Sequence, residues 1–204
     1  MTDESYLPGT RAACKAVMDL EEQRRDYFAA MEWAGGLMTA TTPDQLGAPT
    51  PCAEFTVREL MGHLIGTARR STGTAQGIST RFIPHVVEGV ADGDLAATYV
   101  SITRDIRKLW QSAAEGDRVT APWGLCTALD ALRGFTVETV THGWDLAAAT
   151  GQPREAPDQI AARCLVFASA IIPDRLRGVM YGKPAADSHG DLPTTRLAHL
   201  LGHR

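Results

Sequence analysis

Four stretches of this chain repeat their apolar residues at spacings of three, four and seven, the period of a helix with one buried face. The first runs from about Arg11 to Met38 and sets Val17, Leu20, Tyr27, Phe28, Met31 and Trp33 or Ala34 along one stripe. Gly35-Gly36 weakens its end and Pro43 closes it. The second opens at Thr56, which has Glu59 three positions on, the spacing of a capping box in which each side chain bonds the other's backbone amide. Behind that box Val57, Leu60, Met61, Leu64, Ile65 and Ala68 form a stripe, with His63 on its flank. The third, from Asp94 through Ala114, turns Leu95, Tyr99, Ile102, Ile106, Leu109 and Trp110 inward. The fourth opens at Thr127 or Asp130 and stops at Gly151, a residue suited to the left-handed position that follows a helix.

Between and after these stretches the pattern is weaker. TTPDQLGAPTPCAEF is a proline-rich connector with room for one short helical turn, and 79–93 is a loop whose Val86-Val87 pair has no evident place. RVTAPWGLC mixes β-branched and aromatic residues with Pro122 and Gly124, and reads as an extended crossing or a short strand. A fifth helical segment is expected over about 157–172, and the chain closes with a short apolar turn at Leu197, Leu200 and Leu201. Long helices joined by short and long connections predict an all-α bundle with strand content close to nil, in which sites form where facing helices point polar side chains inward. At 204 residues one core is expected, with 1–10 as a flexible leader and 11–204 as a single domain.

Composition narrows the function classes. A net charge of -4 argues against a general nucleic-acid binder, which needs a concentrated excess of Lys and Arg. No apolar run approaches the ~20 residues of a membrane helix, and the polar start MTDESYLPGT lacks the basic-then-apolar order of a secretory signal, so cytoplasm is the expected location. The 4 cysteines, Cys14, Cys52, Cys126 and Cys164, include no C-x-x-C pair and fit free thiols in a reducing compartment.

The chemistry concentrates in TVETVTHGWDLAAAT, residues 136–150. Glu138 and His142 are four apart, so on a helix they stack on one face and could grip a single ion. His63, the one ionisable ring on the second helix, is the expected third ligand, and three protein ligands leave a coordination position for water or substrate. The competing reading is that a Glu-x-x-x-His arises by chance in many helices and that an interior His is a hydrogen-bonded core residue. Asp145, three beyond His142, is expected either to orient a ligand ring or to cap polar groups at the helix end. Trp144 is read as core packing, with substrate stacking as the alternative. Cys52, just ahead of a helix, is read as a small buried residue rather than a nucleophile or fourth ligand. His85, His189, His199 and His203 lack partner spacing and are taken as surface or loop residues. Arg24-Arg25 and Arg69-Arg70 are taken as solvated helix faces, with Arg69 or Arg70 a candidate for binding an anionic substrate.

The runs PTPCAEFTVRELMGHL, ETVTHGWDLAAATGQ and LPTTRLAHLLGHR resemble the actinobacterial metal-binding proteins related to the mycothiol-dependent maleylpyruvate isomerase N-terminal domain, within the DinB/YfiT-like superfamily. The likeness extends over most of the chain from about Met38 onward. It implies a DinB/YfiT-like four-helix bundle with additional short C-terminal helices, and a divalent ion, zinc with nickel as alternative, held by the residues that match the family motif: His63, Glu138 and His142. Gly62 stands where the family tends to carry Asn, and the first helix departs from the family pattern. The resemblance further implies mycothiol, a low-molecular-weight thiol, as cosubstrate, an electrophilic substrate as partner, and a thiol S-transferase or isomerase activity. A metal-dependent hydrolase and a non-catalytic metal-holding stress or interaction protein stand as the rival readings, and a homodimer through the first helix is open.

Overall fold

The computed structural model describes residues 19–157, 159–172, 177, 181–185 and 191–204. In chain order these form α1 (Leu20–Ala40), α2 (Val57–Ala75), α3 (Leu95–Gln111), β1 (Arg118–Ala121), β2 (Gly124–Thr127), α4 (Ala128–Thr150), α5 (Ile160–Ile171) and α6 (Pro193–Leu201). Single 3-10 turns at Pro43–Gln45 and Asp92–Asp94 sit in the connections. The leader, the expected first turns of α1, Cys14 and His189 lie outside the described residues.

The helix boundaries follow from side chains that satisfy backbone amides left open at a helix start. Asp19 and Glu22 form a capping box before α1, and Thr56 and Glu59 form the expected one before α2. Thr127 caps α4 through the Asp130 amide, and Gly151 ends it at φ 70, where a Cβ would be strained. Gly35-Gly36 does not end α1, which runs on to Ala40; a Cβ at Gly35 would crowd Val100, so the glycine serves the approach of α3.

α1 packs against α3 and α4, and α2 against the same two, so α1 and α2 occupy opposite corners of a four-helix bundle. Its core holds Tyr27, Met31, Met38, Leu60, Leu64, Ile65, Tyr99, Ile106, Trp110, Leu132 and Phe135, all fully buried or nearly so. Side chains of this size contribute roughly 1.5–3 kcal/mol each by leaving water. The buried Trp110 indole N–H donates to Ser71 at 3.0 Å, which ties α3 to α2 without an orphaned donor.

A second apolar cluster, with Val137, Val140, Ile160, Cys164, Leu197 and Leu201, joins α5 and α6 to the outer flank of α4. Trp144 belongs to this seam: it is 2% exposed, and its indole N–H donates to Thr195 Oγ1 of α6 at 3.0 Å. Gly143 leaves space for Trp33, whose ring would lie 2.3 Å from a Cβ there.

The arrangement contains the short strand that the sequence offered, and it corrects one other expectation. The piece after α3 is an antiparallel hairpin, with Arg118 opposite Thr127 and Ala121 opposite Gly124, so strand content is small but real. Val119 and Thr120 favour the extended backbone, and Pro122-Trp123 make the turn. Arg24 is not a solvated face: it is 6% exposed, pairs with Glu21 and donates to the Ala113 carbonyl beyond the end of α3.

No helix among the described residues is long and apolar enough to cross a membrane.

Candidate metal centre

His63 on α2 and Glu138 and His142 on α4 meet between facing helices. His63 Nε2 and His142 Nε2 lie 3.8 and 3.7 Å from the same oxygen, Glu138 Oε2, and one ligand atom from each of the three falls within 4.8 Å of the others. Those separations exceed a hydrogen bond, and they approach the roughly 3.3 Å edge that bonds of 2.0–2.1 Å produce in a tetrahedral zinc site.

Each imidazole is held by its other nitrogen. His63 Nδ1 lies 3.0 Å from the His85 carbonyl oxygen, which can only accept, so Nδ1 carries the proton and Nε2 presents a lone pair. Thr67 Oγ1 is 3.5 Å from that lone pair, at the outer limit of a hydrogen bond, and leaves it uncommitted. His142 Nδ1 donates to Asp145 Oδ2 at 3.0 Å, which again turns Nε2 toward Glu138. A backbone carbonyl and a carboxylate behind two imidazoles is the arrangement metal-ligating histidines use. Phe55 stacks on His63 with ring centroids 5.1 Å apart and closes one side.

The electrostatics favour His63 and Glu138 as donors, while a metal would have to displace a proton from His142. Burial lowers the pKa of His63, which is 3% exposed, and so favours the neutral ring a ligand needs. Burial pushes the Glu138 carboxyl up, but His63 and His142 facing it outweigh that and hold it down at about 2. Burial also opposes a charged His142, yet the Asp145 carboxylate bonded to its Nδ1 raises the ring above its ordinary value. Asp145 itself, 0% exposed, is kept ionised by His142 and His203 against the cost of burial.

The centre opens on a cavity of about 350 Å³, within the range of small-molecule sites. Its walls come from the 51–55 connector, from His85, and from Tyr181, Gly182, Leu201, Gly202 and His203. Thr141 lines this cavity, and its buried hydroxyl has no hydrogen-bond partner among the described residues.

Trp144 and Arg69 fall elsewhere. Trp144 does not line the cavity and is core against α6. Arg69 is exposed and borders a separate groove with Pro84 and Val86, so it is not aimed at the centre. Cys52 does reach the cavity, half-buried rather than buried, but burial and the nearby Asp145 charge push its thiol up to about 11, which opposes a thiolate. Cys52, Cys126 and Cys164 are free thiols.

His85 and His203 are the residues that spacing missed. His85 is a loop residue, but it supplies the carbonyl for His63, and its ring lies 4.5 Å from that of His63. His203 donates from Nδ1 to Asp145 at 2.8 Å. His199 is half-buried, 3.4 Å from Asp191 Oδ2, with its ring against Trp144.

The profile of the Mycothiol maleylpyruvate isomerase N-terminal domain matches residues 28–147, which include all three converging side chains. Over 195 residues the chain is 30% identical to Uncharacterized protein Rv0738 of Mycobacterium tuberculosis strain H37Rv, covering 89% of this chain and 94% of that protein. The counterpart in strain CDC 1551 matches to the same extent. Among solved structures, that of the mycothiol-dependent maleylpyruvate isomerase superposes with a TM-score of 0.57 at 16% identity, covering 72% of this chain and 68% of the other. A histidine-to-alanine mutant of that isomerase superposes at 0.55 with 14% identity over the same shares, and these two likenesses bear on the fold. The chain belongs to the mycothiol maleylpyruvate isomerase N-terminal domain family, and its bundle is the DinB-like fold of that family.

Proposed function

We propose that this chain is a divalent-metal-binding, thiol-dependent transferase or isomerase, with His63, Glu138 and His142 holding the ion. The observation that carries this reading is the convergence of two Nε2 atoms on one Glu138 oxygen, each imidazole anchored through Nδ1, at the floor of a cavity. Two imidazole nitrogens and a carboxylate oxygen suit zinc best, with nickel next. Bound there, zinc would supply Lewis acidity at an open coordination position, sufficient to ionise a coordinated thiol.

The protein's own groups prepare that position. His63 is held neutral with its lone pair inward, Glu138 is ionised, and Asp145 fixes the His142 ring. Phe55 and Leu201 give the cavity apolar wall, while Glu54, His85 and Tyr181 offer polar contacts to a substrate. The thiol is a cosubstrate from solution rather than Cys52, whose thiol is held protonated. The name of the solved isomerase supports mycothiol as that thiol and an electrophile of the maleylpyruvate class as substrate.

The test is elemental analysis of the purified protein, followed by calorimetric titration with mycothiol. The reading expects one zinc per chain and thiol binding that is lost when the metal is removed with a chelator. Metal-free protein that also fails to take up added zinc would refute it.

A further inference from the structure

The family match ends at residue 147, yet a wall of the cavity comes from beyond it, at residues 181–182 and 201–203. How that wall is built bears on the metal centre. α6 is pinned at its start, where Glu155 accepts from the Thr194 amide and hydroxyl, and along its length by the Trp144 to Thr195 bond. At its end Gly202 adopts φ 97, its amide bonds the His199 carbonyl and the His203 amide bonds the Ala198 carbonyl, a closure that reverses the chain in one residue. Gly202 also lies against Gly182, where a Cβ would meet backbone at 2.4 Å, and Gly182 donates to the Leu201 carbonyl. Little freedom is left to the residue that follows. It is His203, with Nδ1 2.9 and 2.8 Å from the two oxygens of Asp145.

Asp145 therefore receives two imidazole N–H groups, one from His142 within its own helix and one from the far end of α6. A fully buried carboxylate with only one donor is free to turn about its side-chain bond; a second donor spanning both oxygens fixes its plane. That plane decides where Oδ2 stands, and Oδ2 orients the His142 ring.

We propose that His203 is a positioning residue for the metal centre: through Asp145 it sets the His142 ring, so that the C-terminal turn completes a site whose ligands all lie in α2 and α4. The adjacent aromatic geometry agrees, with the His142 and His203 rings edge to face at 5.5 Å. This rests on the metal reading above for its effect on affinity, but the hydrogen bond to Asp145 can be tested without metal.

The experiment compares zinc affinity in the wild type, His203→Ala and His203→Asn, with circular dichroism to verify the fold. Asparagine places an N–H donor where Nδ1 stands, so it keeps the bond to Asp145 while removing the ring. The inference expects His203→Ala to bind zinc about ten- to a hundredfold more weakly, the usual range for losing a group behind a ligand, and His203→Asn to recover most of that loss. Wild-type affinity in His203→Ala, or no recovery in His203→Asn, overturns it. Ring-nitrogen NMR of the metal-free wild type decides the same point independently, even if no variant folds and even if the wild type binds no zinc. A protonated Nδ1 of His203 coupled to Asp145 supports the clamp, and an unprotonated Nδ1 contradicts it.

Discussion

Nδ1 of His63 donates to the carbonyl oxygen of His85 at 3.0 Å, across a loop that leaves α2 and folds back along it. The loop can come this close because α2 presents glycines on that face. A Cβ at Gly62 would stand 2.8 Å from the Val87 carbonyl oxygen, and one at Gly66 would stand 3.0 Å from that of Pro84 and 3.2 Å from that of His85. The Val87 amide in turn donates to the Gly62 carbonyl. At Gly62 the contact is backbone against backbone.

Gly62→Ala is therefore expected to push the loop off α2 and to cost about 1–3 kcal/mol, the range for overpacking a tight contact. Thermal unfolding measures this. Gly36→Ala, with nothing within 4 Å of its Cβ, serves as the control that leaves the midpoint unchanged or raised.

Stability of the metal-free protein should depend on pH through Glu138 and His142, with opposite signs. Glu138 is held at about 2 against an ordinary 4.5, so its contribution is complete above 4.5 and lost as pH falls toward 2. His142 is raised above its ordinary 6.5, so its contribution is present below 6.5 and lost as pH rises through the raised value. Urea midpoints across this range should fall on both sides of a maximum, and Glu138→Gln should flatten the acid limb. An acid limb identical in the variant contradicts the assignment.

Cys52 should alkylate slowly at neutral pH despite its place on the cavity wall. Burial and Asp145 hold its thiol at about 11, so the rate should climb with pH toward that value rather than level off near the ordinary thiol range. Iodoacetamide labelling followed by peptide mass spectrometry isolates this residue from the other cysteines. Rapid labelling at neutral pH would show a thiolate that the surrounding charges do not support.

Trp144→Phe removes the donor to Thr195 while keeping most of the apolar volume. The expected loss is about 0.5–1.5 kcal/mol for the hydrogen bond, with α6 loosened from α4. Amide exchange should rise in 193–201 before it rises in α2 or α4. A uniform rise would mean that the tryptophan serves the bundle as a whole.

What was legible in the sequence follows from period and spacing. The capping box at Thr56, the stop at Gly151 and the stripe from Val57 to Ala68 are local features, and they set α2 and α4 in place before any tertiary contact is considered. Because Glu138 and His142 are four apart on one helix, and His63 is the one ionisable ring on another, spacing offers the three as candidates, and the family resemblance singles them out. His85 and His203 could not be found this way. They reach the centre by a loop return and a left-handed glycine, neither of which has a period, and the contact that carries His85 is made by its backbone. The capture of Arg24 by Glu21 and the Ala113 carbonyl was hidden for a similar reason, since the partner carbonyl lies beyond the end of α3.

His63, Glu138 and His142 are proposed to hold one divalent ion. Zinc content and affinity, measured on the chelator-stripped and reloaded wild type beside a His63→Ala variant of matching circular dichroism, test it most directly. One tightly bound zinc is expected in the wild type. The variant should lose at least about a hundredfold in affinity, since removing a ligand costs more than removing a group behind one. Full metal occupancy in His63→Ala, or none in the wild type, would contradict it.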